Sequence, residues 1–353
     1  MIPEDIRVGV VGAGFWATEM HLPALSRLPG VRVTAIAART ESSALAAADR
    51  FNVPSWTTDW QELVGGDEVD VVDIVAPNHL HAPIAIAALG LGKHVICIKP
   101  LAMDLGGADR MLAATRTTDA RLFYAENVPF IPAVRRAAEI VREGGLGEVF
   151  RVKACEGIGA PHAAWFLDPA QSGGGAAIDM AVHSIAFCRS MARSEVDTVY
   201  AETGTFVHRA SPVEDTVVMT LRFRNDVIGQ CEDGWSLVAA MDSRFEVFGT
   251  KGRILIDNLH RQPIQVASEP GYAPLGGDRE STRGWTFPLP MSGDVADGHL
   301  AMLNHFVECL RSGERSLSEG EEGRADLAVV EAALRSSRSG RREPIISTLE
   351  EAG

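Results

Sequence analysis

Along the first third of the chain, short apolar runs rich in β-branched residues alternate with Ala/Leu-rich stretches in which apolar positions recur at helical spacing. Residues 6–11, 31–37, 69–75, 94–98 and 121–124 read as strands, and 16–28, 41–50, 79–91 and 104–117 as the helices between them. Strands that are apolar throughout and separated by helices mark a parallel sheet covered on both faces. Residues 1–127 are therefore expected to form an α/β, doubly wound domain of the kind that binds nucleotides.

The pattern changes beyond residue 127. After a helix over 134–142, the segments 148–157, 215–223, 227–235 and 243–257 alternate polar and apolar positions with period two, and Asn225-Asp226 and the 249–252 stretch stand where hairpin turns belong. An antiparallel sheet follows, one face on helices and one free, in a second domain over 128–353 that is α+β. A free, partly apolar sheet face suits self-association. One helix, 176–191, interrupts these strands, and two more, 297–311 and 319–337, close the chain. The Gly/Pro-rich stretch 270–290 reads as a long surface loop, and the last residues as loose.

Bulk properties narrow the partners. With 33 Lys and Arg against 47 Asp and Glu, the formal charge is -14. That argues against nucleic acid and anionic membranes, which need a basic face. The five cysteines are scattered, with no C-x-x-C pair, which points away from a disulfide framework or thiolate metal site and toward a reducing compartment. The N-terminus lacks a signal-peptide layout and no apolar run reaches membrane-spanning length, so a cytoplasmic protein is expected.

Five motifs carry candidate chemistry. In "VGVVGAGFWA", Gly12, Gly14 and Ala17 follow a strand and open a helix: Gly12 permits the turn, Gly14 lets the backbone approach a pyrophosphate, and Ala17 allows close packing. Phe15 and Trp16 belong to the same loop. At the end of the second strand an NAD site would place a carboxylate on the ribose 2′-OH; here stand Ala38, Arg39 and Thr40, then Ser42 and Ser43, a set suited to a 2′-phosphate. The expected cofactor is thus NADP in preference to NAD, with Glu41 the residue that could argue otherwise. Pro77 and Asn78 end another strand on the ligand edge, whereas His79 and His81 read as helix-entry packing, not as metal ligands. Lys99 ends an apolar strand at that edge in "ICIKPLA", placed to bond a nicotinamide ribose and polarise a substrate oxygen. Finally, in "GGGAAIDMAVHSI", Asp179 and His183 are four apart on the expected helix, and a histidine beside a carboxylate is suited to proton exchange near neutral pH.

Taken in order, "VGVVGAG", "PNHLHAPIAIAAL", "GKHVICIKPLA" and "GGGAAIDMAVHSI" resemble the glucose–fructose oxidoreductase / inositol dehydrogenase (Gfo/Idh/MocA) family over nearly the whole chain. The resemblance implies a Rossmann domain, then a domain with a large, mainly antiparallel open sheet, and dimers or tetramers built on that sheet. It implies sugars, amino sugars or cyclitols as substrates. By position it makes Lys99 the lysine of the family's Glu-Lys-Pro motif, Asp179 and His183 its helix pair, and Asn127 its asparagine after a Rossmann strand, with Glu126 beside it. His162, Trp165 and Asp168 occupy its substrate-facing loop. Ile98 stands where the family has Glu, which removes a carboxylate neighbour from Lys99. The expected activity is hydride transfer between nicotinamide and a CH–OH group. Alternatives are a glycosidase that oxidises its sugar transiently with tightly held NAD, and a non-catalytic binding protein on the same fold.

Overall fold

The computed structural model describes residues 5–274, 279–288 and 291–346. The chain divides into two compact units. One comprises the residues up to Glu126 with Ala170–Gly173 and His299–Leu327; the other comprises Asn127–Pro169, Gly174–Gly298 and the residues from Ala328.

In the first unit, strands β1 (Ile6–Val11), β2 (Val31–Ala37), β3 (Ser55–Thr57), β4 (Val71–Ile74), β5 (His94–Ile98) and β6 (Leu122–Ala125) form an all-parallel sheet in the order β3-β2-β1-β4-β5-β6. Val10, Ile36, Val72, Ile74 and Val95 are fully buried in it. Each such side chain contributes roughly 1.5–3 kcal/mol relative to exposure. The hydrophobic pattern misses β3 and the helix Trp60–Gly65, which are only three and six residues long, too short to display a period. The expected helix 16–28 also differs. It opens as a wide π-helical turn, Trp16–His21, and ends at Leu25. Beyond β6, the rings of Phe123 and Phe306 stack at 4.9 Å, and the Arg121 guanidinium donates to the Cys309 carbonyl (2.7 Å).

A polar contact lies inside this apolar sheet. His21 Nδ1 meets Asp73 at 2.9 Å, with both side chains sealed from solvent. Asp73 sits on the central strand β4 because the imidazole partners it there.

In the second unit, β7 (Val149–Gly157), β8 (Val196–Gly204), β9 (Thr216–Phe223), β10 (Ile228–Gly234), β11 (Asp242–Gly249), β12 (Gly252–Asp257), β13 (Ile264–Ser268), β14 (Gly284–Thr286) and β15 (Glu343–Pro344) make one sheet, ordered β14-β13-β12-β11-β7-β10-β9-β8-β15. It is antiparallel except for the β7–β10 pair. Alternation fixes its faces: Val217, Met219, Leu221 and Phe223 point inward, with Val218, Thr220 and Arg222 opposite. The stretch 270–290 is not wholly loop, since Gly284–Thr286 pairs with β13 at the sheet edge. Residues 275–278 and 289–290 of that stretch, and the expected loose terminus from residue 347, lie outside the described residues. The single helix expected over 176–191 is two, Ala176–Asp179 and Ala181–Ala192, parted at Met180.

Removing one partner of a sealed hydrogen-bonded pair leaves the other buried and unsatisfied. His21→Ala is expected to lower unfolding stability by about 3 kcal/mol. Asp70→Ala, which breaks the part-exposed Arg7–Asp70 pair, should cost under about 1 kcal/mol. Urea unfolding of both variants checks the difference.

Candidate active site

The ligand edge of the parallel sheet begins at Gly12, whose φ is +127° and where an added Cβ would lie 2.0 Å from the Val75 carbonyl oxygen. Only glycine closes that turn. Gly14 has nothing within 4 Å of the equivalent position, so the backbone there stays open to a close-approaching group, and Ala17 is fully buried behind it. These residues fit a dinucleotide pyrophosphate. Phe15 is half exposed and Trp16 half-buried beside it. At the end of β2, Arg39 is exposed, while Thr40 caps the helix Glu41–Phe51: its Oγ1 accepts from the Ser43 amide (3.3 Å) and meets Ser43 Oγ at 2.8 Å. Part of the hydroxyl cluster at β2 thus serves the helix cap.

Pro77 and Asn78 follow β4. Asn78 is buried and its amide donates to the Ser172 carbonyl (2.8 Å). His81 is fully buried, with Nδ1 2.8 Å from the Pro100 carbonyl oxygen and Nε2 2.8 Å from that of Ala76. Burial lowers its pKa, against smaller opposing effects of these two carbonyls. His81 thus ties the end of β4 to the turn that carries Lys99. The Lys99–Pro100 peptide is cis. Lys99 is largely buried, and its backbone amide donates to the Ala125 carbonyl (3.3 Å). Ile98 and Ala125 are register partners, so Lys99 and Glu126 each follow directly on a paired residue of adjacent strands. Glu126 is buried and is the carboxylate that the strand order supplies near Lys99 where Ile98 supplies none.

In the second unit, Asp179 ends one helix and His183 lies in the next, so they do not share the face of one continuous helix. Two tertiary contacts set the first turn apart. The Glu214 carboxylate accepts from the Gly175 and Ala177 amides (3.1 Å each) at its start, and Trp235 Nε1 donates to Asp179 Oδ2 (2.8 Å) at its end. The His183 amide then donates to the Met180 carbonyl (3.2 Å), and His183 is half-buried. In the 159–169 loop, Trp165 stacks on Phe166 at 3.8 Å, and Phe166 packs edge-on to Trp235 at 6.2 Å. An aromatic relay therefore runs from loop residue Trp165 to the indole that holds Asp179. Asp168, half-buried, donates its amide to the Trp165 carbonyl (3.1 Å), whereas His162 is exposed. Asn127 is buried and its carbonyl accepts from the Phe130 amide (2.9 Å). Among the described residues no cluster of His, Cys, Asp and Glu could hold a metal, and no helix is long and apolar enough to cross a membrane.

Two family models match the chain: an oxidoreductase family with an NAD-binding Rossmann fold over residues 6–126, and a GFO/IDH/MocA C-terminal domain over 134–255. Myo-inositol 2-dehydrogenase of Thermotoga maritima is 30% identical over 350 residues, covering 97% of this chain and 100% of that one. The chain belongs to the Gfo/Idh/MocA family of NAD(P)-dependent oxidoreductases. Among solved relatives of this family, GenD2 from gentamicin A biosynthesis, in complex with NAD, is 27% identical with a TM-score of 0.85, covering 98% of both chains. Levoglucosan dehydrogenase in complex with NADH and levoglucosan is 25% identical with a TM-score of 0.85, covering 97% of this chain and 99% of that one. Family membership accounts for both sheets and their order along the chain.

Trp235 and Glu214 do not stand out in the sequence reading, although a tryptophan directly after a strand-ending Asp-Gly is a signal of a built position. Trp235→Phe keeps the ring and removes the donor. Turnover is expected to fall about tenfold, equivalent to about 1.4 kcal/mol of barrier, with cofactor affinity unchanged; steady-state kinetics and a cofactor titration check this.

Proposed function

We propose that this family member transfers hydride between a nicotinamide cofactor and a CH–OH or carbonyl group of a sugar, amino sugar or cyclitol, with Lys99, Asp179 and His183 as its catalytic groups. The observation that carries the reading is Asp179: a carboxylate buried to 2% exposure, oriented by the Trp235 indole, four residues ahead of a half-buried histidine. Bound nicotinamide would supply the two-electron chemistry. His183 takes the hydroxyl proton in oxidation and returns it in reduction. Lys99 orients and polarises the reacting oxygen. Asp179 positions His183 or a substrate hydroxyl, and Glu126, His162 and Trp165 contact the substrate. Gly12, Gly14, Phe15, Trp16, Pro77, Asn78 and Asn127 join Lys99 in holding the cofactor. Names of relatives that act on myo-inositol and levoglucosan support the substrate class.

For the cofactor, we infer NADP over NAD. The end of β2 offers exposed Arg39 and no carboxylate before Glu41, and a guanidinium suits a 2′-phosphate. Two solved relatives carry NAD or NADH and another relative is named for NADP(+), so the choice is tested on Arg39. The free face of the nine-stranded sheet presents Tyr200, Val218 and Ile228 among paired charges such as Lys153–Glu232 and Arg253–Glu246, which supports a homodimer or homotetramer built there.

A panel of sugars, amino sugars and cyclitols with each cofactor, followed by nicotinamide absorbance, tests the activity. His183→Ala and Lys99→Ala should each lose at least about a hundredfold in turnover while still binding cofactor. Near-wild-type turnover in both would sink the assignment. Arg39→Ala should weaken NADP by about tenfold or more and NAD little; equal effects would refute the 2′-phosphate argument.

A further inference from the structure

Asp233 is the next-to-last residue of β10, two residues before Trp235, and is buried to 4% exposure. Its Oδ1 accepts from Ser184 Oγ (2.5 Å) and from the Glu156 amide (3.2 Å). Its Oδ2 has no hydrogen-bond partner among the described residues. An ionised carboxylate would leave charge bare on that oxygen in the interior, where it is costly. The neutral acid costs less: Oδ1 serves as the carbonyl oxygen for two donors, and the partnerless Oδ2 carries a hydroxyl in place of a charge. Gly234 pins the strand here, because an added Cβ would lie 2.5 Å from the Asp215 carbonyl oxygen. Ser184 is the residue after His183 on the helix Ala181–Ala192.

We propose that Asp233 is a positioning residue that works as the neutral acid, holding Ser184 and through it the helix that carries His183. The inference rests on the reading in which His183 exchanges the substrate proton. It adds a second grip from the same strand end, since Trp235 holds Asp179 and Asp233 holds the next helix. Burial raises the Asp233 pKa to about 8, against the hydrogen bonds from Ser184 and Glu156 that lower it; the Glu232 charge raises it further. The group is therefore protonated at neutral pH; its ionisation as pH rises through about 8 puts a bare buried charge on Oδ2, which loosens the packing around Ser184 although Oδ1 still accepts. Other titratable groups on the packed elements are Glu156 and Cys155 on β7, Cys231 on β10, Asp215 before β9, Asp179, His183 and Cys188. Comparing variants that differ only at Asp233 cancels their common contribution.

Asp233→Asn keeps the acceptor and cannot ionise; Asp233→Ala removes the acceptor. With the substrate found in the panel, kcat of Asp233→Asn should match the wild type at neutral pH. The wild type should then fall about tenfold relative to Asp233→Asn between pH ~7 and pH ~9, with KM for the cofactor unchanged. Asp233→Ala should lose about tenfold across the range. Hydrogen–deuterium exchange without substrate gives an independent readout. Protection of residues 181–192 should fall in the wild type as pH rises toward ~8 and level off above it, stay flat in Asp233→Asn, and be lowered throughout by Ser184→Ala. Parallel pH dependences of wild type and Asp233→Asn in exchange would overturn the proposal, as would an Asn variant no better than Ala. If no sugar or cyclitol turns over, the functional reading fails, and the exchange comparison still decides the role of Asp233.

Discussion

An indole N–H set 2.8 Å from a buried carboxylate is the contact around which the second unit's candidate site is built. Asp179 is out of water, and a buried carboxylate needs donors that stay in place. Trp235 is suited to that because its own ring is fully buried and braced by Phe166, itself stacked on Trp165. The donor thus loses little freedom when it binds, and the carboxylate stays oriented without a water shell to reorganise. Glu214 completes the arrangement by capping the same short helix at its other end.

The first unit solves a different problem, that of leaving space. Gly12 admits no side chain and Gly14 leaves the backbone bare, so the edge of the parallel sheet stays open to a large anion. Lys99 is fixed from behind. Its amide is tied to β6, and His81 ties the following proline carbonyl to the end of β4. Ile98 lies buried at the end of β5 and contributes packing, not charge.

Much of this is legible in the sequence where a physical period is long enough to read. β1, β2 and β5 have the bounds that their apolar runs imply, because a strand buried on both faces leaves a continuous signature. The strands that escape the pattern, among them β3, β8, β13 and β14, are short, edge-placed or broken by polar positions. The helix 176–191 reads as continuous because composition favours one. The short helix before the break at Met180 is held by Glu214 and Trp235, which are distant in sequence. Asp179 and His183 are legible as residue types at a meaningful spacing; what holds the turn that ends at Asp179 is not, since its partners lie 37 or more positions away.

The central claim is that this family member moves a hydride between carbon and nicotinamide. It is tested most directly with an active sugar or cyclitol deuterated at its carbinol carbons, incubated with oxidised cofactor and read by NMR. Hydride transfer puts deuterium at C4 of the reduced nicotinamide, one per ketone or lactone formed. Product formed with no deuterium at C4, or a glycosidic bond cleaved with no net reduction of cofactor, would contradict it.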